Sequence, residues 1–313
     1  MLILAPMQGL TELLFRKVYH KCFPGALDYA ISPFLSLTHG NLAEAWDKID
    51  DVLPEPNCDS IPVVPQILGK EPVEFIELAN RLHEIGYNEI NWNIGCPMRR
   101  VTAKHRGSGI LPYPDEVNSI LSQTIPHLKP RLSVKMRLGL KSPDEIFDLI
   151  PILNNYPLLN VTIHPRTGRQ QYTGQVDLDT FSRALPLIRH KVIYNGDICT
   201  PADFRRISQR FPIVHDFMIG RGILYDPLLP LKIKNDQPDD LDATLHFVQE
   251  LLHSVNALPI REESRMRKVK EYWCLIRRSL PITEQQAMTV LHAQTPQETT
   301  ARIHDLLQSL KKY

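Results

Sequence analysis

The chain has 313 residues, of which 43% are hydrophobic and 23% are charged, and its formal net charge at pH 7 is only +1. This is the composition of an ordinary globular protein. The charge total gives no sign of a nucleic-acid binder, so any basic surface has to be local. The length exceeds the roughly 250 residues of a barrel built from alternating strands and helices, which leaves room for a small second domain.

Neither a membrane segment nor a cysteine framework is indicated. No run approaches the ~20 apolar residues of a membrane span, and the apolar start of the chain is too short for a signal peptide. The five cysteines lie far apart, without a Cys-x-x-Cys pair, which argues against a disulfide scaffold or a structural zinc site. We therefore expect a cytoplasmic protein with free thiols, no bound metal and no membrane association.

Eight short apolar runs, typical of buried strands, follow one another from the start of the chain. They lie near residues 2–5, 28–32, 62–67, 88–94, 132–137, 159–163, 191–194 and 215–219. The segments between them have helical periodicity; in residues 72–82 the apolar positions return every three or four residues. The alternation predicts a parallel sheet, and eight strands predict a (β/α)8 TIM barrel over residues 1–238.

Beyond residue 230 the strand signals stop, and a polar linker at 234–240 leads into helical patterns. We expect a smaller, all-helical domain over residues 239–313. One of its helices, near 261–278, carries an apolar stripe formed by Met266, Val269, Trp273, Ile276 and Leu280, which predicts a core-facing side.

The same helix is strongly basic. Residues 261–278 contain seven basic and three acidic residues, a local net charge of +4. Such a face is either simply solvated or a track for phosphates. A second basic stretch, with Arg99, Arg100, Lys104, His105 and Arg106, favours RNA as the partner.

A single cysteine, Cys96, ends one of the strands, where a parallel barrel places its chemistry. Gly95 before it allows a close backbone approach to a ligand, and Pro97 after it prevents a helix from continuing. A lone cysteine is most often a small buried hydrophobe. At this position we expect a general acid, since a thiol with a pKa near 8.5 is mostly protonated at neutral pH. A nucleophile is the competing role, but no Cys-His-Asn arrangement supports it.

Polar and glycine residues end four further strands. Asn195-Gly196-Asp197 and Gly220-Arg221-Gly222 end the last two, where barrels commonly build a phosphate site, and Arg221 would add a bidentate clamp. Lys135 lies on the fifth strand, whose run closes at Gly139, and it is either an ion-paired side chain or part of the site. His164 ends the sixth strand in a setting without metal-ligand spacing.

Together these motifs resemble the tRNA-dihydrouridine synthase family. The resemblance covers nearly all of the barrel and rests on Ala5-Pro6-Met7, Pro65-Gln66-Ile67-Leu68-Gly69, Asn93-Ile94-Gly95-Cys96-Pro97, Lys135-Met136-Arg137-Leu138-Gly139, His164-Pro165-Arg166-Thr167, Asn195-Gly196-Asp197-Ile198 and Gly220-Arg221-Gly222. It implies an FMN-dependent oxidoreductase that takes hydride from NADPH and reduces the C5–C6 double bond of uridine in the D-loop of tRNA. It also implies that the C-terminal helical domain grips the tRNA.

The resemblance assigns a role to each matching residue. Cys96 is the proton donor to C5 of uracil, and Asn93 and Arg166 orient the target base. The cofactor is held by Pro6 and Met7 along the flavin, Gln66 and Lys135 at its ring edge, and His164, Asn195, Gly196, Asp197, Gly220 and Arg221 at the ribityl phosphate. We expect further tRNA contacts at Arg99, Arg100, Lys268, Lys270 and Arg277, and a monomeric protein. Two features depart from the family: Pro165 replaces the usual glycine, and the loop at 105–109 is unusually basic.

Two other functions fit parts of the sequence. An FMN barrel acting on a small molecule, similar to dihydroorotate dehydrogenases or ene-reductases, would need no basic C-terminal helix. In that case charge reversal at Lys268, Lys270 and Arg277 would leave turnover unchanged. A non-redox RNA-binding barrel is the second alternative, and the presence of Cys96 with the whole set of cofactor motifs disfavours it.

Overall fold

The structure is a computed structural model and describes residues 1–37 and 49–311. Its ten strand segments are all parallel and form one sheet. They are β1 (Leu2–Leu4), β2 (Tyr29–Ile31), β3 (Leu35–Ser36), β4 (Val63–Val64), β5 (Gln66–Leu68), β6 (Glu89–Ile94), β7 (Arg131–Gly139), β8 (Val161–Thr167), β9 (Val192–Asn195) and β10 (Asp216–Ile219).

The ten segments make eight consecutive runs that close into a barrel. Only Pro65, which lacks an N–H for the ladder, separates β4 from β5, and a short break separates β2 from β3. β1 pairs with both β10 and β2, and β2 pairs with β4, while β5 pairs with β6. Each run therefore has a partner on both sides, and each coincides with one of the eight predicted strands. The (β/α)8 barrel prediction is confirmed.

Helices follow the strands, and most of them cover the outside of the barrel. They are α1 (Leu13–Cys22), α2 (Pro54–Asn57), α3 (Pro72–Glu84), α4 (Arg99–Thr102), α5 (Pro114–Thr124), α6 (Ile146–Leu153), α7 (Leu178–Ala184), α8 (Pro201–Arg210), α9 (Arg221–Tyr225) and α10 (Leu229–Asn235). Proline in the first turn begins several of them, as its fixed φ and missing N–H favour. In the described part of the chain, no helix is long and apolar enough to cross a membrane.

Polar residues fill one half of the barrel interior. Ile3, Ile31, Ile193 and Met218 pack together on one side. On the other side Gln66 Nε2 donates to Asn91 Oδ1 at 2.7 Å, and Asn91 Nδ2 donates to Ser133 Oγ at 3.0 Å. Buried amides are stable only when they are hydrogen-bonded. This network therefore fixes the strands whose carboxyl ends form the polar side of the barrel mouth.

Four helices follow the barrel: α11 (Leu241–Asn256), α12 (Glu262–Ile276), α13 (Glu284–Leu291) and α14 (Pro296–Leu310). The predicted stripe faces the core, with Val269, Trp273 and Ile276 buried. Helix α12 also contacts the loop after β1, where Tyr272 OH donates to Leu10 O at 2.6 Å. The domain boundary at 238 stays a prediction, because the apolar core runs without a break from the barrel into these helices.

Candidate active site

The carboxyl ends of the barrel strands surround a cleft of about 880 Å³, its open mouth included. Apolar residues form one wall, among them Pro6, Met7 and Phe34. The remaining lining residues from the predicted set are Asn93, Cys96, Lys135, His164, Asn195, Gly196, Asp197, Gly220 and Arg221. The structure therefore brings together most of the residues that the sequence singled out.

Cys96 is fixed by hydrogen bonds to its own backbone and to that of Gly95. Asn93 Oδ1 accepts from the backbone N of Gly95 at 3.0 Å and from that of Cys96 at 2.9 Å. Arg137 Nε donates to Gly95 O at 3.0 Å. Ser108 donates to Cys96 O from its backbone N at 2.9 Å and from its Oγ at 3.1 Å. With both of its backbone polar groups bonded, the cysteine presents its side chain to the cleft from a fixed position.

The basic loop after the cysteine is packed beneath it. Gly107 has a φ of +56°, and a Cβ there would lie 2.6 Å from Cys96 O and 2.9 Å from Cys96 Cβ. Arg106 is buried and donates to Leu37 O. This departure from the family pattern therefore supports the cysteine, and the Arg106 guanidinium is not on the outer surface.

The Cys96 thiol is suited to donate a proton. Burial raises the pKa of Cys96 above the ordinary thiol value. A hydrogen bond from the Met98 backbone and the charges of Arg137, Lys135 and Arg100 act in the opposite direction without reversing the shift. The thiol is consequently protonated at neutral pH.

Lys135 presents an amine without a fixed partner. No side chain or carbonyl in residues 1–37 and 49–311 bonds its Nζ. Burial, together with repulsion from Arg137, lowers the pKa of Lys135 to about 7. An unpaired amine with such a pKa can stabilise negative charge on a bound ligand.

His164 is neutral. Burial and the surrounding positive charges, led by Arg137, hold its pKa well below the usual range. Its Nε2 lies 3.1 Å from Arg166 Nη1, and because a guanidinium only donates, Nε2 accepts and the proton is on Nδ1.

Asp197 organises the end of the cleft formed by β9 and β10. Its carboxylate bonds Arg166, and it accepts from Arg221 Nη2 at 3.0 Å. A Cβ on Gly196 would lie 3.0 Å from Val176, and one on Gly220 would lie 3.4 Å from Met7 Sδ. The glycines thus keep this corner open, while Asp197 directs Arg221.

Gln66 and Arg166 do not line the cleft. The Gln66 amide is occupied at both ends, because its Nε2 bonds Asn91 and its Oε1 accepts from Asn93 Nδ2 at 2.7 Å. Arg166 is 2% exposed and bonds Asp197, His164 and Gly174 O. Both residues support neighbours that do reach the cleft, and the roles predicted for them at the cofactor and the base stay predictions.

The residues predicted to hold tRNA fall into two groups. Arg99 and Arg100 are exposed beside Cys96. The other three are engaged within the protein: Lys268 Nζ lies 2.7 Å from Glu12 Oε2, Lys270 Nζ donates to Leu291 O and Ala293 O, and Arg277 pairs with Glu284. The second group therefore stabilises the fold, and its contact with tRNA stays a prediction.

Sequence reasoning missed three residues of the site. Arg137 could have been found, because it is two residues beyond Lys135 on one strand and so faces the same side. Tyr172 lies 56% exposed between the guanidinium groups of Arg137 and Arg221, 5.4 and 5.2 Å from its ring centre. Neither Tyr172 nor Ser108 carries a local signal, since each lies in a loop whose path depends on the fold. Within the described residues, no group of three or more His, Cys, Asp or Glu residues is placed to hold a metal ion.

Comparison with solved structures shows the same fold. The old yellow enzyme from Trypanosoma cruzi superposes with a TM-score of 0.53 at 10% identity, over 76% of this chain and 89% of that one. A variant of NCR from Zymomonas mobilis gives a TM-score of 0.52 at 10% identity, over 76% and 87%. At this identity the likeness concerns the fold alone.

Comparison of sequences identifies the family. The chain is 26% identical to the tRNA-dihydrouridine(16) synthase of Pseudomonas putida, over 97% of this chain and 95% of that protein. It is 28% identical to tRNA-dihydrouridine synthase B of Escherichia coli K12, over 71% and 67%. The sequence profile of the dihydrouridine synthases matches residues 3–310, and the chain therefore belongs to the dihydrouridine synthase family, as its motifs predicted.

Proposed function

We propose that the protein reduces the C5–C6 double bond of uridine in the D-loop of tRNA, with FMN in the cleft and NADPH as the hydride source. The observation that carries the proposal is the placing of Cys96 and Lys135 in one cleft, one a protonated thiol and the other an unpaired amine. In a dihydrouridine synthase family chain, this pair supplies a proton and stabilises negative charge.

The residues that line the cleft suit FMN. Gly196 and Gly220 leave space at the end where Arg221 offers a guanidinium, which suits a phosphate. Asp197 itself is occupied by arginines, so we assign it to positioning Arg221. Pro6 and Met7 offer an apolar wall for a flat ring, and Lys135 would hold the polar edge of that ring.

The protein's own groups provide the acid and the orientation. Bound FMN supplies hydride-transfer chemistry. Cys96 gives its proton to C5 of uracil and regains one from solvent, while Asn93, Arg137 and Ser108 keep the thiol in place. The target base has to leave its stack to reach the cleft, at a cost of a few kcal/mol. A cytoplasmic, monomeric enzyme is part of the proposal.

The test follows flavin absorbance when enzyme reduced anaerobically with NADPH is mixed with unmodified tRNA. Fast reoxidation with formation of dihydrouridine is the expected result. Reduced flavin that persists with tRNA but is reoxidised by a small enone or quinone would contradict the proposal and favour the small-molecule reductase. A protein that takes up no FMN but binds tRNA would favour a non-redox RNA-binding function.

A further inference from the structure

Exposed, unpaired cations are concentrated on three loops at the mouth of the barrel. Arg99, Arg100 and Lys104 follow β6, Lys141 follows β7 and Arg169 follows β8, and all five are exposed. In the part of the chain that the structure describes, none of them forms an ion pair. We call these five residues the cationic rim.

The three loops form one continuous surface beside the cleft. The backbone N of Gly168 donates to Gly139 O at 2.8 Å, and that of Arg169 donates to Leu140 O at 2.9 Å. Gly168 also packs so closely on Ser108 that a Cβ would collide with the Ser108 hydroxyl. Ser108 in turn bonds Cys96. The rim is therefore joined to the loop that holds the proton donor.

The three segments of this surface, residues 95–113, 140–142 and 168–176, carry no acidic residue of their own. Carboxylates next to them include Glu145, which accepts from the backbone N of Leu140, Lys141 and Ser142, and Glu116, 3.7 Å from His105 Nδ1. The groove beside α1, which adjoins the cleft, differs because three carboxylates, Glu12, Asp50 and Asp51, line it together with Lys17 and Lys268. We therefore expect phosphates on the side of the cleft formed by the cationic rim, whose cations have no ion-pair partner among the described residues.

Exposed apolar and aromatic side chains lie among the cations. Met98 is 42% exposed, Tyr113 43% and Tyr172 56%. Tyr113 also stacks on His105, with ring centres 4.5 Å apart and planes at 10°. Cations interleaved with aromatic faces suit unpaired nucleotides, whose phosphates and bases are both accessible.

We propose that the cationic rim is the track for the sugar–phosphate backbone of the unpaired RNA next to the target uridine. The inference rests on the proposed function. It adds Lys104, Lys141 and Arg169 to the residues expected to contact tRNA. Lys268, Lys270 and Arg277 are not part of this track, because they are held by Glu12, by backbone carbonyls and by Glu284.

The test compares two double charge reversals that change the net charge equally. The rim variant is Lys141→Glu with Arg169→Glu. The control is Arg189→Glu with Arg205→Glu, two exposed residues outside the mouth without ion pairs among the described residues. A third variant, Arg267→Glu, removes an exposed cation of α12. For each variant, the Kd for unmodified tRNA is measured over a range of salt concentrations. Flavin reduction by NADPH shows whether the variant is folded and holds its cofactor.

We expect the rim variant to bind tRNA about tenfold or more weakly, with the slope of log Kd against log salt smaller by about two. The control and Arg267→Glu should bind like wild type, and all should be reduced by NADPH. Equal losses in rim variant and control, or an unchanged rim variant, would overturn the proposal. Wild-type enzyme that forms no dihydrouridine would instead overturn the proposed function, so the two failures are distinguishable.

Discussion

At the scale of single residues, Cys96 combines a raised pKa with a fixed position. Replacement by alanine removes the proton but keeps the backbone hydrogen bonds to Asn93 and Ser108. We expect Cys96→Ala to bind FMN and tRNA normally and to accept electrons from NADPH, while forming dihydrouridine about 10²–10⁴-fold more slowly. Rapid-mixing absorbance separates the two half-reactions. Cys274→Ala, at an exposed thiol, is the control, and near-normal product formation by Cys96→Ala would remove the thiol from the mechanism.

We expect Lys135 to make flavin binding depend on pH. Its pKa is lowered from 10.5 to about 7, so the ammonium form is present below pH 7 and is lost above it. If the ammonium is the form that bonds the flavin edge, the Kd for FMN rises about tenfold between pH 6 and pH 8. Fluorescence titration of the apoprotein measures this. Lys135→Met should bind more weakly at pH 6 and lose this part of the pH dependence. An identical profile in both proteins would show that another group titrates.

At the scale of elements, the loop from 105 to 110 acts as a support for Cys96, and Gly107 is the glycine of this loop that packs against the cysteine. In Gly107→Ala the new Cβ meets Cys96 O and Cβ, and the residue keeps a φ that side chains disfavour. We expect a loss of about 1–3 kcal/mol in unfolding free energy and a lower rate of uridine reduction.

Gly25→Ala is a matched control for this effect. Gly25 has a φ of +75°, but a Cβ there meets nothing within 4 Å. It therefore shares the backbone strain of Gly107→Ala without the contact to the cysteine. Thermal unfolding and single-turnover rates measured on both variants separate the two contributions. Equal rates of uridine reduction in Gly107→Ala and Gly25→Ala would contradict a supporting role for this loop.

The strands could be predicted from the sequence more accurately than the contacts of individual side chains. Strand runs such as 88–94 are recognisable because a parallel barrel buries both faces of each strand, which leaves a nearly continuous apolar signal. The position of Cys96 and Lys135 in one cleft follows from this strand pattern, because the carboxyl ends of parallel strands meet at one face of the barrel. The ion pair of Lys268 could not be predicted, because its partner Glu12 is distant in sequence and adjacent only in the fold. The contacts of Gln66 could not be predicted either, because a polar side chain on a strand can bond a ligand or join a buried amide network.

At the scale of the whole molecule, aromatic rings join the barrel to the C-terminal helices. Phe247 of α11 lies 5.9 Å from Phe15, 5.7 Å from Tyr19 and 5.5 Å from Phe23 between ring centres, and Tyr272 of α12 stacks on Phe15 at 6.2 Å. Burial of this cluster couples the stability of the two regions. The predicted boundary at 238 would then mark a change of architecture within one cooperative unit.

The coupling is testable through Phe247, which is fully buried. Phe247→Ala leaves a cavity between α1 and α11, and we expect it to lower the unfolding free energy by about 3–5 kcal/mol. Leu241→Ala, at a 37% exposed position at the start of the same helix, should change it by no more than about 0.5 kcal/mol. Calorimetry should show one transition that moves as a whole in Phe247→Ala. A cavity in a shared core destabilises both regions, whereas a cavity in a separate domain destabilises only that domain. Two transitions, of which only the smaller shifts in temperature, would therefore mean that residues 239–313 unfold independently.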